Sequence, residues 1–360
     1  MGNRLKANQT VEMTFDPKLK VKLNMKHSRI SLAPIALALG AVLTLGACAS
    51  ENPVDASGES ITIYSGRSEA LISELVDIFE QETGIQVEVR YGDSSELAAQ
   101  ILEEGQNIRA DVYFGQDAGA LGALEKEGVT KTLPADITDL VATEYKSTNS
   151  QWVGVSGRSR VFVYDPDKVT SVPTSYKDLI DPSWKGRVGI APTNASFQAF
   201  VTAIRVLEGD EAANEFLVAM KQNAVLFEKN SIIMQAVEDG VVDLGLTNHY
   251  YWFELAAELG QENMVSEIGW FGDGDEGNLI NVAGVAVVSD NPNAKVFAKW
   301  LLGDTAQRYF VERTREYSMT GIPEVAGLKP LSEIRAPIFD LSDLDSLAET
   351  LELIRKAGLL

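Results

Sequence analysis

The sequence predicts an α/β fold made of open sheets flanked by helices and divided between two lobes. Strand patterns alternate with helical periodicity from residue 61 onward, which is typical of such sheets. No 20–50-residue repeat or low-complexity tract interrupts this alternation. About 300 residues follow residue 60, and one lobe uses roughly 150, so two lobes are expected.

The first elements form a βαβαβ unit. "ITIYSG" at 61–66 has the apolar character of a buried strand. Leu71, Leu75 and Phe79 recur at four-residue spacing, which indicates a helix over 68–84. "QVEVRY" alternates as a second strand, "SSELAAQILEEG" is a helix with a serine cap, and "ADVYF" is a third strand.

The rest of the chain continues the alternation. Strands are predicted within 152–165, 187–191, 242–246 and 282–288, and helices at 195–208, 210–222, 230–239, 249–259, 292–303 and 305–314. Ligands of open α/β sheets bind beyond the carboxyl ends of strands, near helix N-termini. The candidate contact loops are therefore 65–68, 115–118, 156–160, 193–196, 230–231 and 248–251.

The N-terminal region has the pattern of a lipoprotein signal. After Met25, a basic start is followed by an apolar run over about 35–45 and then by Leu-Gly-Ala-Cys ending at Cys48. The run is too short to span a membrane, which takes roughly 20 residues. We expect residues 1–47 to be removed, Cys48 to be lipidated on the extracytoplasmic face of the cell membrane, and 48–60 to be a flexible linker. The alternative is a buried helix with a chance cysteine.

Composition excludes several classes of partner and chemistry. The formal net charge is −21, and it becomes −26 without the first 47 residues, which argues against nucleic acid and anionic lipid surfaces. His249 is the one histidine outside the signal, and there is no G-x-S-x-G elbow or P-loop. Zinc, haem and iron–sulfur sites of the common kinds lack their Cys/His sets. We expect no enzyme; an extracellular hydrolase, using His249 or a carboxylate as base, is the remaining alternative of that class.

The adjacent Tyr250 and Tyr251 are the feature most suggestive of a site. Asn248 is suited to cap a helix and Gly260 to end it, which places both tyrosines in the first turn. Neighbours there diverge by about 100°, so both hydroxyls can reach one point beyond the helix end. The helix dipole favours phenolate at that end, and a hard trivalent cation would favour it far more. Packed core aromatics are the alternative for a pair seen in isolation.

From Ile61 to about Leu360, the chain resembles the ferric-ion-binding proteins of bacterial ABC importers. The resemblance is carried by "ITIYSGR", "FEQETGI", "ADVYFGQDAGAL", "WVGVSGRSRVFVYD", "KNSIIMQAVEDG" and above all "NHYYW". It implies a two-lobed, type II periplasmic-binding-protein-like fold, in which each lobe is an open mixed sheet flanked by helices and a hinge crossover joins the lobes. It also implies that this fold binds Fe(III) through Tyr250 and Tyr251. It also implies a synergistic anion (carbonate, phosphate or citrate) at helix starts that match Asn194, Ala195, Ser196, Asn230 and Asn248.

Three departures from the family pattern are visible. Ser68 stands where some members have histidine, Gln116 where they have glutamate, and Ser159 where others have a further tyrosine. Protein ligands are therefore few, and the anion must supply more of the oxygen donors. Arg67 and Arg158 lie in the matching loops, and a guanidinium can clamp such an anion in bidentate fashion. Pairing of either arginine with carboxylates is the alternative.

The resemblance also implies an organisation and partners. Lobe 1 would comprise 61–156 with a return through 281–331, and lobe 2 would comprise 157–280 with 332–360. A monomer would deliver its ligand to a membrane permease and the associated ATPase. An alternative keeps the receptor but changes the ligand to thiamine or a small phosphonate, with which Tyr250, Tyr251 and Trp252 would stack or form hydrogen bonds.

Overall fold

The computed structural model describes residues 60–360, which belong to one compact unit. The predicted signal segment, Cys48 and residues 48–59 of the predicted linker lie outside the described residues. Within 60–360 there are ten strands and eleven α-helices. None of those helices is both long enough and apolar enough to cross a membrane.

The strands are numbered in chain order. They are β1 Ser60–Ser65, β2 Gln86–Tyr91, β3 Val112–Gly115, β4 Val153–Tyr164, β5 Val188–Ile190, β6 Ala224–Leu226, β7 Leu244–Asn248, β8 Glu267–Gly269, β9 Ile280–Val287 and β10 Tyr317–Ser318.

The helices connect and cover these strands. They are α1 Glu69–Thr83, α2 Ser94–Glu104, α3 Ala118–Lys126, α4 Ala135–Thr138, α5 Ala195–Glu208, α6 Asp210–Asn223, α7 Asn230–Glu238, α8 His249–Leu259, α9 Pro292–Trp300, α10 Asp304–Thr314 and α11 Leu347–Lys356.

The strands form one continuous hydrogen-bonded path in the order β2-β1-β3-β9-β4-β7-β5-β6. Pairing is parallel between β1 and both β2 and β3, and again between β5 and both β6 and β7. The central strands β9 and β4 run antiparallel to their neighbours. The predicted α/β fold is confirmed, and its sheet is mixed.

Strand β4 joins the two parallel groups of strands. Its first half, through Ser159, pairs with β9, and β10 pairs with it at Ser156 and Gly157. Its second half, from Arg160 onward, pairs with β7 and, over its last three residues, with β8. A register shift between Gly154 and Ser156 marks an irregularity in the first half. Residues beside this crossing point therefore touch both groups of strands.

Three hydrophobic cores divide along the same line. The largest packs β1, β3 and β9 with α1, α2, α3, α9 and α10. A second packs the far half of β4 and strands β5 and β7 with α5, α6 and α11. A smaller third core lies against α7 and α8.

Helix α3 was not predicted, and its sequence explains why. It contains Gly119 and Gly122, which weaken helical propensity. A Cβ on Gly122 would lie 2.3 Å from the Ser342 carbonyl oxygen, and one on Gly119 would lie 2.5 Å from that of Leu344. The glycines let the C-terminal segment pack directly on the helix, so a tertiary contact overrides local preference. The short strands β6, β8 and β10 were also missed.

Candidate metal centre

Strand β7 leads directly into α8, and the candidate centre begins at that junction. Asn248 occupies the N-cap position with extended backbone, as predicted, but its side chain does not cap the helix. Its amide nitrogen lies 3.5 Å from the Tyr250 hydroxyl, and its amide oxygen accepts a 3.4 Å hydrogen bond from Arg160. The side chain thus links the tyrosines to β4.

The two tyrosines lie side by side in the first turn of α8. Their ring centroids are 4.3 Å apart at 39°, and both side chains are partly buried. Burial, and then the neighbouring Tyr250 phenol, raises the pKa of Tyr251 above its ordinary value. Tyr251 is therefore a neutral phenol at neutral pH, and it would have to lose a proton to bind a metal.

Trp252, which follows the pair, does not face the same space. Its indole nitrogen donates a 3.0 Å hydrogen bond to the Ser266 carbonyl, and the ring is buried with its edge against Phe253. Trp252 is therefore unavailable to stack on an organic ligand, which removes one element of the thiamine or phosphonate alternative.

Strand β4 contributes Arg158 and Arg160, two residues apart and therefore on one face of the strand. Arg160 is buried and donates to the Ser196 hydroxyl at 3.0 Å and to the Leu246 carbonyl at 3.2 Å. Burial lowers its pKa to about 9, while the Tyr250 and Tyr251 phenols act in the opposite direction. It remains a cation at neutral pH. Arg158 was predicted from the sequence and Arg160 was not, although their i, i+2 spacing on one strand indicates a shared face.

The predicted anion-binding residues meet around Arg160. The Asn194 side chain caps α5 by accepting hydrogen bonds from the Ser196 amide at 3.0 Å and its hydroxyl at 2.6 Å. Asn230 donates to the Ser196 hydroxyl at 2.9 Å and to the Asn194 amide oxygen at 3.2 Å. Ala195 is the first residue of α5. Asn194, Ser196 and Asn230 therefore form one polar cluster, joined to Asn248 through Arg160.

A cavity of about 40 Å³ opens beside this cluster. It is lined by Gln116, Asp117, Arg158, Arg160, Ala195, Ser196, Ala199, Asn248, Leu279 and Asn281. The tyrosines are not among its lining residues, but Asn248 and Arg160 connect it to them. The cavity is therefore a small space next to the phenols, with charged and polar side chains in part of its wall.

Gln116 and Ser68 have different surroundings. The Gln116 carbonyl accepts a hydrogen bond from Arg158, and its side-chain oxygen is buried without a hydrogen-bond partner. Ser68 is exposed at the N-cap position of α1, makes no capping hydrogen bond and does not line the cavity. The structure brings Gln116 to the candidate centre and leaves Ser68 outside the cavity.

Arg67 also has a placement different from the expected one. It is fully buried, and both terminal nitrogens donate to the Glu316 carboxylate at 2.8 Å. Burial alone would raise the pKa of Glu316, but Arg67, aided by Arg158 and Ser156, lowers it to about 2. The expectation that Arg67 clamps an anion is therefore corrected: both terminal nitrogens are committed to an internal ion pair, and its buried Nε has no hydrogen-bond partner.

Arg158 lies between this ion pair and the cavity. Its Nε is 3.9 Å from Glu316 and makes no hydrogen bond. Asp117 also lines the cavity; burial raises its pKa, and its side chain accepts from the Ala120 amide at 3.1 Å. Two guanidinium groups, Arg158 and Arg160, thus line the cavity with one carboxylate, Asp117, which leaves net positive charge beside the cavity.

His249 does not have the surroundings of a catalytic base. It is fully buried, and burial lowers its pKa to about 4. Its Nδ1 accepts the Ser159 amide hydrogen at 3.1 Å, so Nε2 carries the proton and donates to the Arg315 carbonyl at 2.7 Å. Both ring nitrogens are therefore occupied, which counts against the hydrolase alternative.

Ser159, where other members have a tyrosine, does not replace that ligand. Its hydroxyl donates to the Arg160 carbonyl at 2.9 Å and accepts from the Trp270 indole at 3.2 Å. Within residues 60–360 there is also no cluster of three or more His, Cys, Asp or Glu side chains suited to a metal ion.

Comparison with known proteins gives the family. The sequence profile of the bacterial extracellular solute-binding proteins matches residues 74–333, well over half of the chain. The chain belongs to this solute-binding family. A Serratia marcescens relative, an "Fe(3+)-binding periplasmic protein", is 34% identical over 344 residues, covering 93% of this chain and 100% of the relative. The "Major ferric iron-binding protein" of Neisseria meningitidis is 32% identical, with 83% and 93% covered.

Solved structures of solute-binding proteins share the fold. Iron-bound HitA from Pseudomonas aeruginosa superimposes with a TM-score of 0.76 at 35% identity, covering 83% of this chain and 99% of HitA. A Trichodesmium FutA structure with iron and citrate gives 0.73 at 26% identity, with 83% and 99% covered. The type II periplasmic-binding-protein fold is confirmed.

The Arg67–Glu316 pair leads to a stability prediction. Glu316→Gln should lower the free energy of unfolding by about 3–5 kcal/mol at pH 7, because it leaves the Arg67 charge buried and uncompensated. The matched control is Glu74→Gln, which removes the exposed Arg313–Glu74 pair and should cost less than about 1 kcal/mol. Urea unfolding of the two variants, without added iron, measures both changes in the free energy of unfolding.

The difference between wild type and Glu316→Gln should also depend on pH. The pKa of Glu316 is lowered from its ordinary value of 4.5 to about 2. The ionised carboxylate therefore stabilises the fold fully above pH 4.5, and this contribution is lost as the pH falls towards about 2. Equal unfolding free energies for the Glu316 and Glu74 variants at pH 7 would contradict this role.

Proposed function

We propose that this protein is the solute-binding receptor of an ABC importer and that it captures Fe(III) through Tyr250 and Tyr251. The observation that supports it best is the pair of adjacent phenols in the first turn of α8, beside buried arginines on β4. The similarity to the iron-binding proteins of Serratia and Neisseria supports the same ligand. No chemical conversion of the ligand is part of this function.

The chemistry of the pair suits a hard trivalent cation. A phenolate is an anionic oxygen donor, and hard cations prefer oxygen ligands. The N-terminal end of α8 also favours negative charge on the first turn. Two phenolates satisfy only part of the roughly six positions that Fe(III) prefers, so other oxygen donors must complete the site.

We propose that a small synergistic anion supplies part of the remainder. Arg158, Arg160 and the start of α5 would hold it in the cavity of about 40 Å³. That volume corresponds to roughly a few water molecules, which favours carbonate over phosphate and both over citrate. The excess of guanidinium over carboxylate beside the cavity supports an anionic occupant.

The two lobes would close on this ligand. We keep the bounds given above, with 61–156 and 281–331 in lobe 1 and 157–280 and 332–360 in lobe 2. Strands β4 and β9 would carry the crossings between the lobes, and the two large hydrophobic cores would move as separate bodies. The loaded protein, as a monomer, would then deliver iron to the permease, which its ATPase drives.

The tyrosine assignment has a direct spectroscopic test. Fe(III) added to wild type should produce a visible phenolate-to-iron band, and Tyr250→Phe or Tyr251→Phe should each weaken it strongly. The matched control is Tyr164→Phe, whose hydroxyl contacts Glu267 at the far end of β4 and which should keep the band. The affinity for Fe(III) should fall by roughly tenfold for each unit by which the pH is lowered, for each proton that the phenols release on binding. A full-strength band in the double Phe variant would refute the assignment.

The anion proposal is tested through iron retention. Fe(III)-loaded protein in bicarbonate should lose iron to a competing hydroxamate chelator slowly, and at least about tenfold faster once bicarbonate is removed. Arg160→Gln should abolish most of that dependence, since it removes charge-assisted hydrogen bonds. Arg187→Gln, at a surface pair with Asp243, is the control. Retention that does not depend on any added anion would count against the proposal.

We also propose that Cys48 anchors the protein by lipid on the extracytoplasmic face of the membrane. The apolar run and the Leu-Gly-Ala-Cys sequence before it support this placement. Cells expressing the wild type with labelled fatty acid should yield labelled protein in the membrane fraction, whereas Cys48→Ala should give unlabelled protein. An unlabelled wild type would rule the anchor out.

A further inference from the structure

His249 stands between the two halves of the candidate centre. It immediately precedes the tyrosine pair, and its Nδ1 accepts from the amide of Ser159, the residue between Arg158 and Arg160. One imidazole therefore joins the first turn of α8 to the segment of β4 that carries both guanidinium groups.

Sheet geometry explains why a side chain is used at this point. The β4–β7 ladder ends with Arg160 opposite Asn248, and the chain then turns into α8. The Arg160 amide points the other way, to the Leu279 carbonyl, so the Ser159 amide faces the end of β7. No carbonyl of β7 is paired with the Ser159 amide, and His249 accepts its hydrogen instead. Without His249, this buried donor would lack a hydrogen-bond partner, which would lower the stability of the fold.

The other ring nitrogen reaches a third segment. Nε2 donates to the carbonyl of Arg315, which adopts a left-handed backbone with φ of 58° after α10. The next residue is Glu316, whose carboxylate holds Arg67 and lies 3.9 Å from Arg158. The ring also packs against Tyr317 at 4.7 Å and edge-on against Tyr250 at 5.7 Å.

We infer that His249 is a positioning residue that sets the separation between the phenols of α8 and the arginines of β4. This inference rests on the proposed function. An anion that bridges Fe(III) and a guanidinium must span that separation, so a change in it alters how well the anion holds the metal. His249 itself donates no atom to the metal.

Two substitutions separate the two hydrogen bonds. His249→Asn places an amide oxygen near the position of Nδ1, so it keeps an acceptor for Ser159 but loses the donor to Arg315. His249→Gln reaches the position of Nε2, so it keeps that donor but loses the acceptor. Both side chains are smaller than imidazole, so each serves as the packing control for the other.

The measurement is iron loss from Fe(III)-loaded full-length protein to a hydroxamate chelator over a range of bicarbonate concentrations. His249→Gln should keep the visible band but need about tenfold more bicarbonate for half-maximal retention. His249→Asn should stay within about threefold of wild type. Equal bicarbonate midpoints for His249→Gln, His249→Asn and wild type would overturn the inference. An equal increase of the midpoint in both variants would also overturn it, because it would indicate general destabilisation.

A second measurement does not depend on how the variants fold. In ¹⁵N-histidine-labelled wild type at pH 7, the His249 ring should show a proton on Nε2 and none on Nδ1. The chain has one other histidine, His27, and the His27→Gln variant shows which signals belong to His249. A proton on Nδ1 would overturn the inference. The proposed function fails separately, if the band survives loss of both tyrosines.

Discussion

Strand β4 is the constraint on which the candidate centre depends. Its backbone pairs with β9 and β10 over one half and with β7 and β8 over the other. Arg158 and Arg160 project from it, and the amide of Ser159 binds His249. Because these residues are consecutive in one paired strand, their relative positions are determined by the ladder rather than by a loop. The tyrosines of α8 are positioned by the same strand, because β7 pairs with β4 and the His249 ring accepts a hydrogen bond from Ser159.

The balance of buried charge follows from this arrangement. The charge of Arg67 is neutralised by an internal ion pair with Glu316. Arg160, in contrast, donates hydrogen bonds only to hydroxyl, amide and carbonyl oxygens. A buried cation without a carboxylate is costly unless an anion arrives. The neighbouring phenols supply negative charge only when they lose protons, so the proposed binding of metal and anion would be coupled to proton release in one small region.

Much of the fold was readable from the sequence, because the longer helices and strands have clear periodicity. The βαβαβ start and α5 to α10 lie where the pattern placed them. Helix α3 was not predicted, because its glycines are required by a tertiary contact with residues 342–344. The local sequence does not reveal that contact. Strands of two or three residues, such as β10, are too short to show a period and exist only through pairing with β4.

The site was readable in part. Asn194, Ser196, Asn230 and Asn248 sit at helix starts, where cap chemistry and the family resemblance agree, and the structure gathers them. Arg67 and Arg160 were misjudged, because the sequence does not reveal which arginine meets a distant carboxylate. Glu316 lies 249 positions from Arg67, and only the folded chain brings them together.

The placement of these groups has a consequence for the order of events during capture. The tyrosine pair, both cavity arginines and the start of α5 all come from residues 158–251, within one predicted lobe. The other predicted lobe offers Gln116, Asp117 and Asn281 at the cavity wall. With the proposed lobe bounds and donors, a ligand would meet most of the proposed donor residues on one lobe at the first encounter. Closure of the proposed lobes would then act mainly on the rate of escape, by covering a ligand that is already bound.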